Sequence, residues 1–180
     1  YDTFSVCPYC LRVVKAVVYE EEGAVYIEKE CKEHGKVKHI DWSDADMFKR
    51  AFRYKADGRG IENPQVKENS KGCPYDCGLC PIHKSHTALG LIDVTNRCNL
   101  RCPICFAAAF AKGYVYEPSL KQVKAMLDLL RENKPVPCPA VQFTGGEPTL
   151  REDLVEMVRY AKEVAGFKHV EIDTNGIRIA

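Results

Sequence analysis

Nine of the ten cysteines fall into three short groups: Cys7, Cys10 and Cys31; Cys73, Cys77 and Cys80; Cys98, Cys102 and Cys105. That grouping constrains the chain more than any other feature. Disulfide-dense domains are small and loop-rich because they lack a core. Here the apolar pattern predicts amphipathic helices and buried strands, so covalent staples are not needed. Two-residue spacers repeated in all three groups predict metal ligation in a reducing compartment instead. We therefore expect a cytoplasmic location. The chain begins at Tyr1 without a methionine and stops at Ala180 directly after a strand-like run, which we read as a fragment or processed piece of something longer.

Three regions follow along the chain. Residues 1–40 predict a small metal-clipped β unit. Residues 12–19 and 24–28 are rich in Val, Ile and Tyr, and Glu20, Glu21, Glu22 and Gly23 supply the turn of a hairpin. Cys7 and Cys10 precede that hairpin, while Cys31 and His34 follow it. A lone hairpin is marginal, and a metal joining its ends would offset the missing core. Residues 41–87 predict a connection. A helix starts near Ser43 and Asp46, carries Phe48, Ala51 and Phe52 on one face and ends at Asp57 and Gly58. A polar, turn-rich stretch then leads to the second cysteine group.

Residues 88–180 predict three strand–loop–helix units. Strands are expected at 89–94, 140–144 and 170–173. Ser119 and Gln122 form a capping box for a helix that buries Leu120, Val123, Leu127 and Leu130. Thr149 and Glu152 suggest a second box, for a helix with Leu154, Val158, Ala161 and Ala165 inward and Gly166 as its stop. Alternating strands and helices predict an α/β fold with a parallel sheet. Three strands cannot close a barrel, so we expect a partial one.

The third cysteine group, Cys98, Cys102 and Cys105, sits immediately after the first of these strands. Three thiolates within eight residues can hold an iron–sulfur cubane corner by corner, leaving one iron open because no fourth cysteine follows locally. A zinc knuckle is the competing reading, which the three-residue spacer fits less well. The second strand ends in Gly145, Gly146, Glu147 and Pro148. Two glycines permit close approach to the backbone, and a glutamate adds an acceptor for an ammonium group. By itself this could be an ordinary turn. In a parallel sheet, however, it lies at the same end as the cysteine loop, where active sites of such folds are found.

Together, Cys98, Cys102 and Cys105 in C-x3-C-x2-C spacing and Gly145 to Pro148 as GGEP resemble the radical S-adenosylmethionine (SAM) superfamily. The resemblance implies a partial (β/α) barrel and a [4Fe–4S] cluster on the three cysteines, with SAM chelating the fourth iron. It also implies contact between the methionine ammonium and Glu147 with the Gly145 and Gly146 backbone. Reductive cleavage of SAM would give a 5′-deoxyadenosyl radical. Thr174 and Asn175, at the end of the third strand, stand where this family often places Thr-Asn-Gly near SAM; an unliganded turn is the alternative. Ile104 departs from the aromatic usual at its position.

Cys73, Cys77 and Cys80 repeat the same spacing without a strand of their own before them, and their functional reading is an auxiliary [4Fe–4S] cluster ligated partly here, against a zinc knuckle as the other reading. Cys138 is either a further ligand or an inert loop cysteine. Cys7, Cys10, Cys31 and His34 fit a mononuclear tetrahedral site for iron or zinc, with Cys73 as an alternative to His34. In combination the three groups resemble the archaeal tetraether lipid synthases, multi-cluster enzymes with a rubredoxin-like iron that form carbon–carbon bonds on lipid chains. A related resemblance is to radical SAM methyltransferases acting on a pterin precursor. A non-catalytic zinc-ribbon module is the alternative of a different kind.

The implied partners are a small-molecule or lipid substrate and an electron donor such as ferredoxin or flavodoxin. With 26 Lys and Arg against 25 Asp and Glu the net charge is +1, which gives no bulk electrostatic reason to bind nucleic acid. No apolar run approaches the roughly 20 residues of a membrane span.

Overall fold

A computed structural model describes residues 1–64, 78–81, 83–111 and 113–179. The chain is mixed α/β and divides into two compact units, Tyr1–Asp57 with Pro64–Cys80, and Gly58–Asn63 with Pro81–Ala180.

The first unit is a four-stranded antiparallel sheet in the order β1-β2-β3-β4. Its strands are β1 (Asp2–Val6), β2 (Val13–Glu21), β3 (Ala24–Cys31) and β4 (Gly35–Trp42). The expected hairpin is its centre: β2 and β3 pair from Lys15 with Glu30 to Glu21 with Ala24, and the turn uses Glu22 and Gly23 at φ of 50° and 77°. Two further strands flank it, so the unit is a sheet rather than a hairpin. Edge strand β4 is mostly solvent-exposed and carries Lys36, Lys38 and Asp41, which hides the period-2 apolar signal by which strands are recognised, and β1 is short and only half-covered.

One face of the sheet buries Ala16, Val18, Val25 and Ile27 against Ala45 and Phe48 of helix α1 (Ala45–Phe52). That helix is capped by Asp44, not by Ser43: the Asp44 carboxylate accepts from the N–H groups of Asp46 and Met47 at 3.0 and 2.9 Å.

The second unit holds a parallel sheet ordered β5-β6-β7, made of β5 (Leu89–Thr95), β6 (Ala140–Gly145) and β7 (His169–Ile172). Helix α2 (Leu120–Arg131) starts with the expected Ser119–Gln122 capping box and buries Val123 and Leu127. The expected box at Thr149 does not form. Its N–H and hydroxyl both donate to the Glu147 carboxylate, at 3.0 and 2.6 Å, so a short 3-10 turn (Pro148–Leu150) replaces the helix start. Helix α3 (Leu154–Arg159) begins only at Asp153 and widens into a π-helical turn, Tyr160–Val164, before Gly166.

Helices α2 and α3 cover one face of the sheet, where Ile92, Val94, Val141 and Phe143 meet Val123, Leu127, Leu154, Met157 and Ala161. Cys138 is fully buried in this core and its thiol donates to the Ala140 carbonyl at 3.1 Å, as an inert core cysteine does. The opposite face, with Leu91 and Asp93 on β5 and Gln142 and Thr144 on β6, is open. No helix among the described residues is long and apolar enough to cross a membrane.

Candidate metal centre and cofactor cleft

In the first unit the structure brings Cys7, Cys10, Cys31 and His34 together, their four ligand atoms all within 4.8 Å of one another. The His34 Nδ1 lies 3.7 Å from Cys7 Sγ and 3.5 Å from Cys31 Sγ, and Cys10 and Cys31 sulfurs are 3.8 Å apart. Such separations match the edges of a tetrahedron with metal–sulfur and metal–nitrogen bonds of about 2.3 and 2.0 Å. Two tight turns set them. Leu11 at φ 57° closes the first, with its N–H on the Cys7 carbonyl at 3.0 Å, and Gly35 at φ 69° closes the second.

Backbone N–H groups aim at the sulfurs: that of Cys10 lowers the Cys7 thiol below its ordinary range, and those of Glu33 and His34 lower Cys31. Cys10 is pushed up. The Arg12 N–H favours its thiolate, but burial and the neighbouring sulfurs of Cys7 and Cys31 outweigh that bond. Three crowded sulfurs cannot all ionise without a cation between them, which is the condition for metal binding. Every described cysteine is a free thiol. Cys73 and Cys77 lie outside the described residues. Cys80 is half-buried, with its N–H on the Gly78 carbonyl at 3.0 Å.

In the second unit three loops meet at the carboxyl edge of the parallel sheet. Cys98, Cys102 and Cys105 occupy the loop after β5, with Cys102 exposed and the other two half-buried. The Leu100 N–H points at Cys98 Sγ at 3.4 Å, and backbone N–H groups of Ala109, Ala107 and Ala108 hold the Cys105 thiol below its ordinary range. The glycine turn after β6 lies against the start of this loop. The Gly146 N–H donates to the Thr95 carbonyl and the Glu147 N–H to the Arg97 carbonyl, both at 2.7 Å. A Cβ on Gly145 would stand 2.1 Å from the Thr95 oxygen, and one on Gly146 2.1 Å from the Arg97 oxygen. Both glycines are therefore required by contact between two stretches of backbone.

Glu147 is 1% exposed. Its Oε1 accepts from the Thr149 N–H, the Thr149 hydroxyl and the Thr174 hydroxyl (2.7 Å), and its Oε2 accepts from the Asn175 N–H at 2.8 Å. Burial alone would raise this carboxyl, but the hydrogen bonds, that of the Thr149 hydroxyl foremost, reverse the effect and hold it below the usual range. Asn175 reaches on to the cysteine loop, where its Nδ2 donates to Asn99 Oδ1 at 2.8 Å. Glu147 and Asn175 thus tie the three loops to one another. Asn99 carries no sequence signal beyond being a short polar residue between two of the cysteines, and Thr149, which the sequence marks only as a helix cap, instead holds the Glu147 carboxylate.

A carboxylate with four donors has a definite pH signature. Because folding lowers its pKa, its contribution to stability is present above the unfolded-state value and is lost as pH falls through the lower folded value. The Glu147→Gln substitution turns an acceptor toward donors as an amide N–H2, so we expect a loss of about 1–3 kcal/mol near neutral pH and a flatter acid limb. Urea unfolding of both proteins across the acid range measures it, and overlapping acid limbs would contradict the assignment.

The cysteine loop starts from a rigid anchor. Buried Arg151 donates to the Val94 and Pro118 carbonyls at 2.8 and 2.6 Å and pairs with Asp153. Glu117 takes the Thr95 hydroxyl at 2.7 Å and Arg97 Nε at 2.6 Å. Asn96 holds residues 114–116 alongside, accepting from the Tyr116 N–H at 2.8 Å and donating to the Tyr114 carbonyl at 2.9 Å. These loops frame a cleft of about 690 Å³ over the open sheet face, with Gly145 and Gly146 at one side and Phe106 and Ala107 at another. The volume suits an organic ligand.

Comparison with known proteins agrees with this division. Residues 1–43 match the HMPTM N-terminal zinc ribbon domain, and residues 92–180 match the radical SAM superfamily. A 7,8-dihydro-6-hydroxymethylpterin dimethyltransferase from Methanocaldococcus jannaschii is 52% identical over 178 residues, which cover 98% of this chain and 34% of that protein. An Fe-coproporphyrin III synthase from Methanosarcina barkeri is 41% identical over 101 residues, covering 56% of this chain and 24% of the relative. A GTP 3',8-cyclase from Limosilactobacillus fermentum is 37% identical over 89 residues, or 49% and 26%. The chain thus spans about a third or less of the length of these curated relatives.

Proposed function

Since residues 92–180 make this chain a member of the radical SAM superfamily, we propose that it is the N-terminal part of an enzyme that cleaves SAM reductively to methylate a pterin-type substrate. The observation that carries this reading is the pair of 2.7 Å backbone bonds that set the glycine turn against the cysteine loop. The pterin reading is preferred to lipid coupling because the relative matched across nearly the whole chain is named for a pterin substrate. The three parallel strands are read as the first part of a (β/α) barrel.

Cys98, Cys102 and Cys105 would hold the [4Fe–4S] cluster, and the donor set fits: three thiols in one loop, with the Leu100 N–H on Cys98 Sγ and backbone N–H groups that lower the Cys105 thiol. Such a cluster, when bound, supplies the electron that splits the sulfonium of SAM into methionine and a 5′-deoxyadenosyl radical. The protein's own residues bind and orient. The Gly145 and Gly146 backbone and the Thr174 and Asn175 loop would border the methionine end of SAM. Glu147, saturated by four donors, holds those loops in place instead of facing the ligand itself.

In the first unit Cys7, Cys10, Cys31 and His34 would bind one zinc or iron with no open position, hence a structural site. Cys73, Cys77 and Cys80 are read as ligands of an auxiliary cluster, supplied with electrons by a cytoplasmic donor such as ferredoxin or flavodoxin.

The test uses full-length protein purified without oxygen, incubated with SAM, a low-potential reductant and 6-hydroxymethyl-7,8-dihydropterin. We expect 5′-deoxyadenosine, more of it when the dihydropterin is present, and none when Cys98, Cys102 or Cys105 is alanine. Product formation that ignores the dihydropterin would overturn the substrate, and formation in the alanine variants would overturn the site.

A further inference from the structure

The cleft's own lining discriminates among substrates. Asp93 pairs with Thr144 across β5 and β6, and Thr144 donates its hydroxyl to Asp173 Oδ2 at 3.4 Å. Thr144 thus stands between two carboxylates that both line the cleft. Strands lie about 4.8 Å apart, so Asp93 and Asp173 spring from backbone positions roughly two strand spacings, about 10 Å, apart, with the Asp173 carboxylate leaning toward Thr144. Gln142 lies on the same open face, while Phe106, Tyr114 and Tyr116 form the wall, the tyrosines being held there by Asn96. Among the described residues lining the cleft there is no lysine or arginine.

We propose that Asp93 and Asp173 are the specificity-determining residues of this cleft, which takes a neutral, planar heterocycle with N–H or O–H donors at both ends, stacked on the tyrosines. The inference rests on the pterin reading above and deepens it. A dihydropterin presents the 2-amino group and N3–H at one edge and a hydroxymethyl O–H at the other, a match to two separated acceptors; charge-assisted bonds of this kind are the strong ones. A nucleoside triphosphate would set its phosphates against two carboxylates with no described cation to neutralise them. A hydrocarbon chain would leave both carboxylates desolvated and unpaired.

Equilibrium dialysis of the cluster-loaded full-length protein against 6-hydroxymethyl-7,8-dihydropterin, alone and with GTP, decides it. We expect wild-type protein to retain the dihydropterin, GTP not to displace it, and Asp93→Asn and Asp173→Asn each to bind at least about tenfold more weakly. Should an Asn variant melt early, Asp93→Glu provides the check: a carboxylate restored at that position restores binding. Unchanged binding in both Asn variants, no recovery with Asp93→Glu, or displacement by GTP overturns the inference while the pterin reading stands. A wild-type protein that binds no dihydropterin overturns both.

Discussion

Replacing Cys31 by serine unfolds the four-stranded sheet of the first unit and strips its metal. Among the described residues the apolar core of that unit is five buried residues, Ala16, Val18, Val25, Ile27 and Ala45, with Phe48 partly covered, and two of the five are alanines. At about 25 cal/mol per Å² so little surface cannot offset the entropy of ordering four strands. A structural zinc contributes an apparent binding energy of about 10–16 kcal/mol, as large as the whole stability of an ordinary domain at about 5–15 kcal/mol. Cys31 is 5% exposed and its sulfur is within 3.8 Å of Cys10 and 3.5 Å of His34, so it is central to that site. Metal content and a thermal melt of the variant, beside a melt of the wild type in chelator, measure the effect. A variant that melts with the wild type would mean that the sheet holds without metal and that the site serves redox chemistry instead.

The second large effect is expected at Gly146. Alanine there places its Cβ 2.1 Å from the Arg97 oxygen and 2.6 Å from the Arg97 carbonyl carbon. These are backbone atoms, so no rotamer relieves the overlap. The turn must withdraw from the cysteine loop and give up the Gly146-to-Thr95 and Glu147-to-Arg97 bonds. Overpacking of this kind costs about 1–3 kcal/mol, and a buried pair left unmade about as much again. We expect the Gly146→Ala protein to lose about 2–6 kcal/mol and most of the iron held by the second unit. Iron retained at the wild-type level would show that the loop holds its cluster without the turn.

Much of this arrangement was legible in the sequence because it follows from period and spacing. The three parallel strands were read within a residue or two, since buried apolar runs alternate there with amphipathic helices, and the Ser119 box was read outright. The cysteine groups announced themselves by their spacers. What escaped notice depended on tertiary partners. Strand β4 is almost wholly solvated, so its pattern lacks an apolar face. Thr149 has the right identity and spacing for a helix cap, yet Glu147, buried two residues earlier, takes its hydroxyl and N–H first. Asp93 and Asp173 lie 80 residues apart in sequence and meet only through Thr144, a relation that register alone reveals.

The most direct test of the account is electron paramagnetic resonance of the full-length protein, purified without oxygen and reduced, before and after SAM is added. A [4Fe–4S] signal that changes on addition of SAM, together with iron and acid-labile sulfide, is the result expected, and Cys102→Ala abolishes the SAM-responsive part. A colourless protein holding zinc and no sulfide, with no signal in either condition, would contradict it.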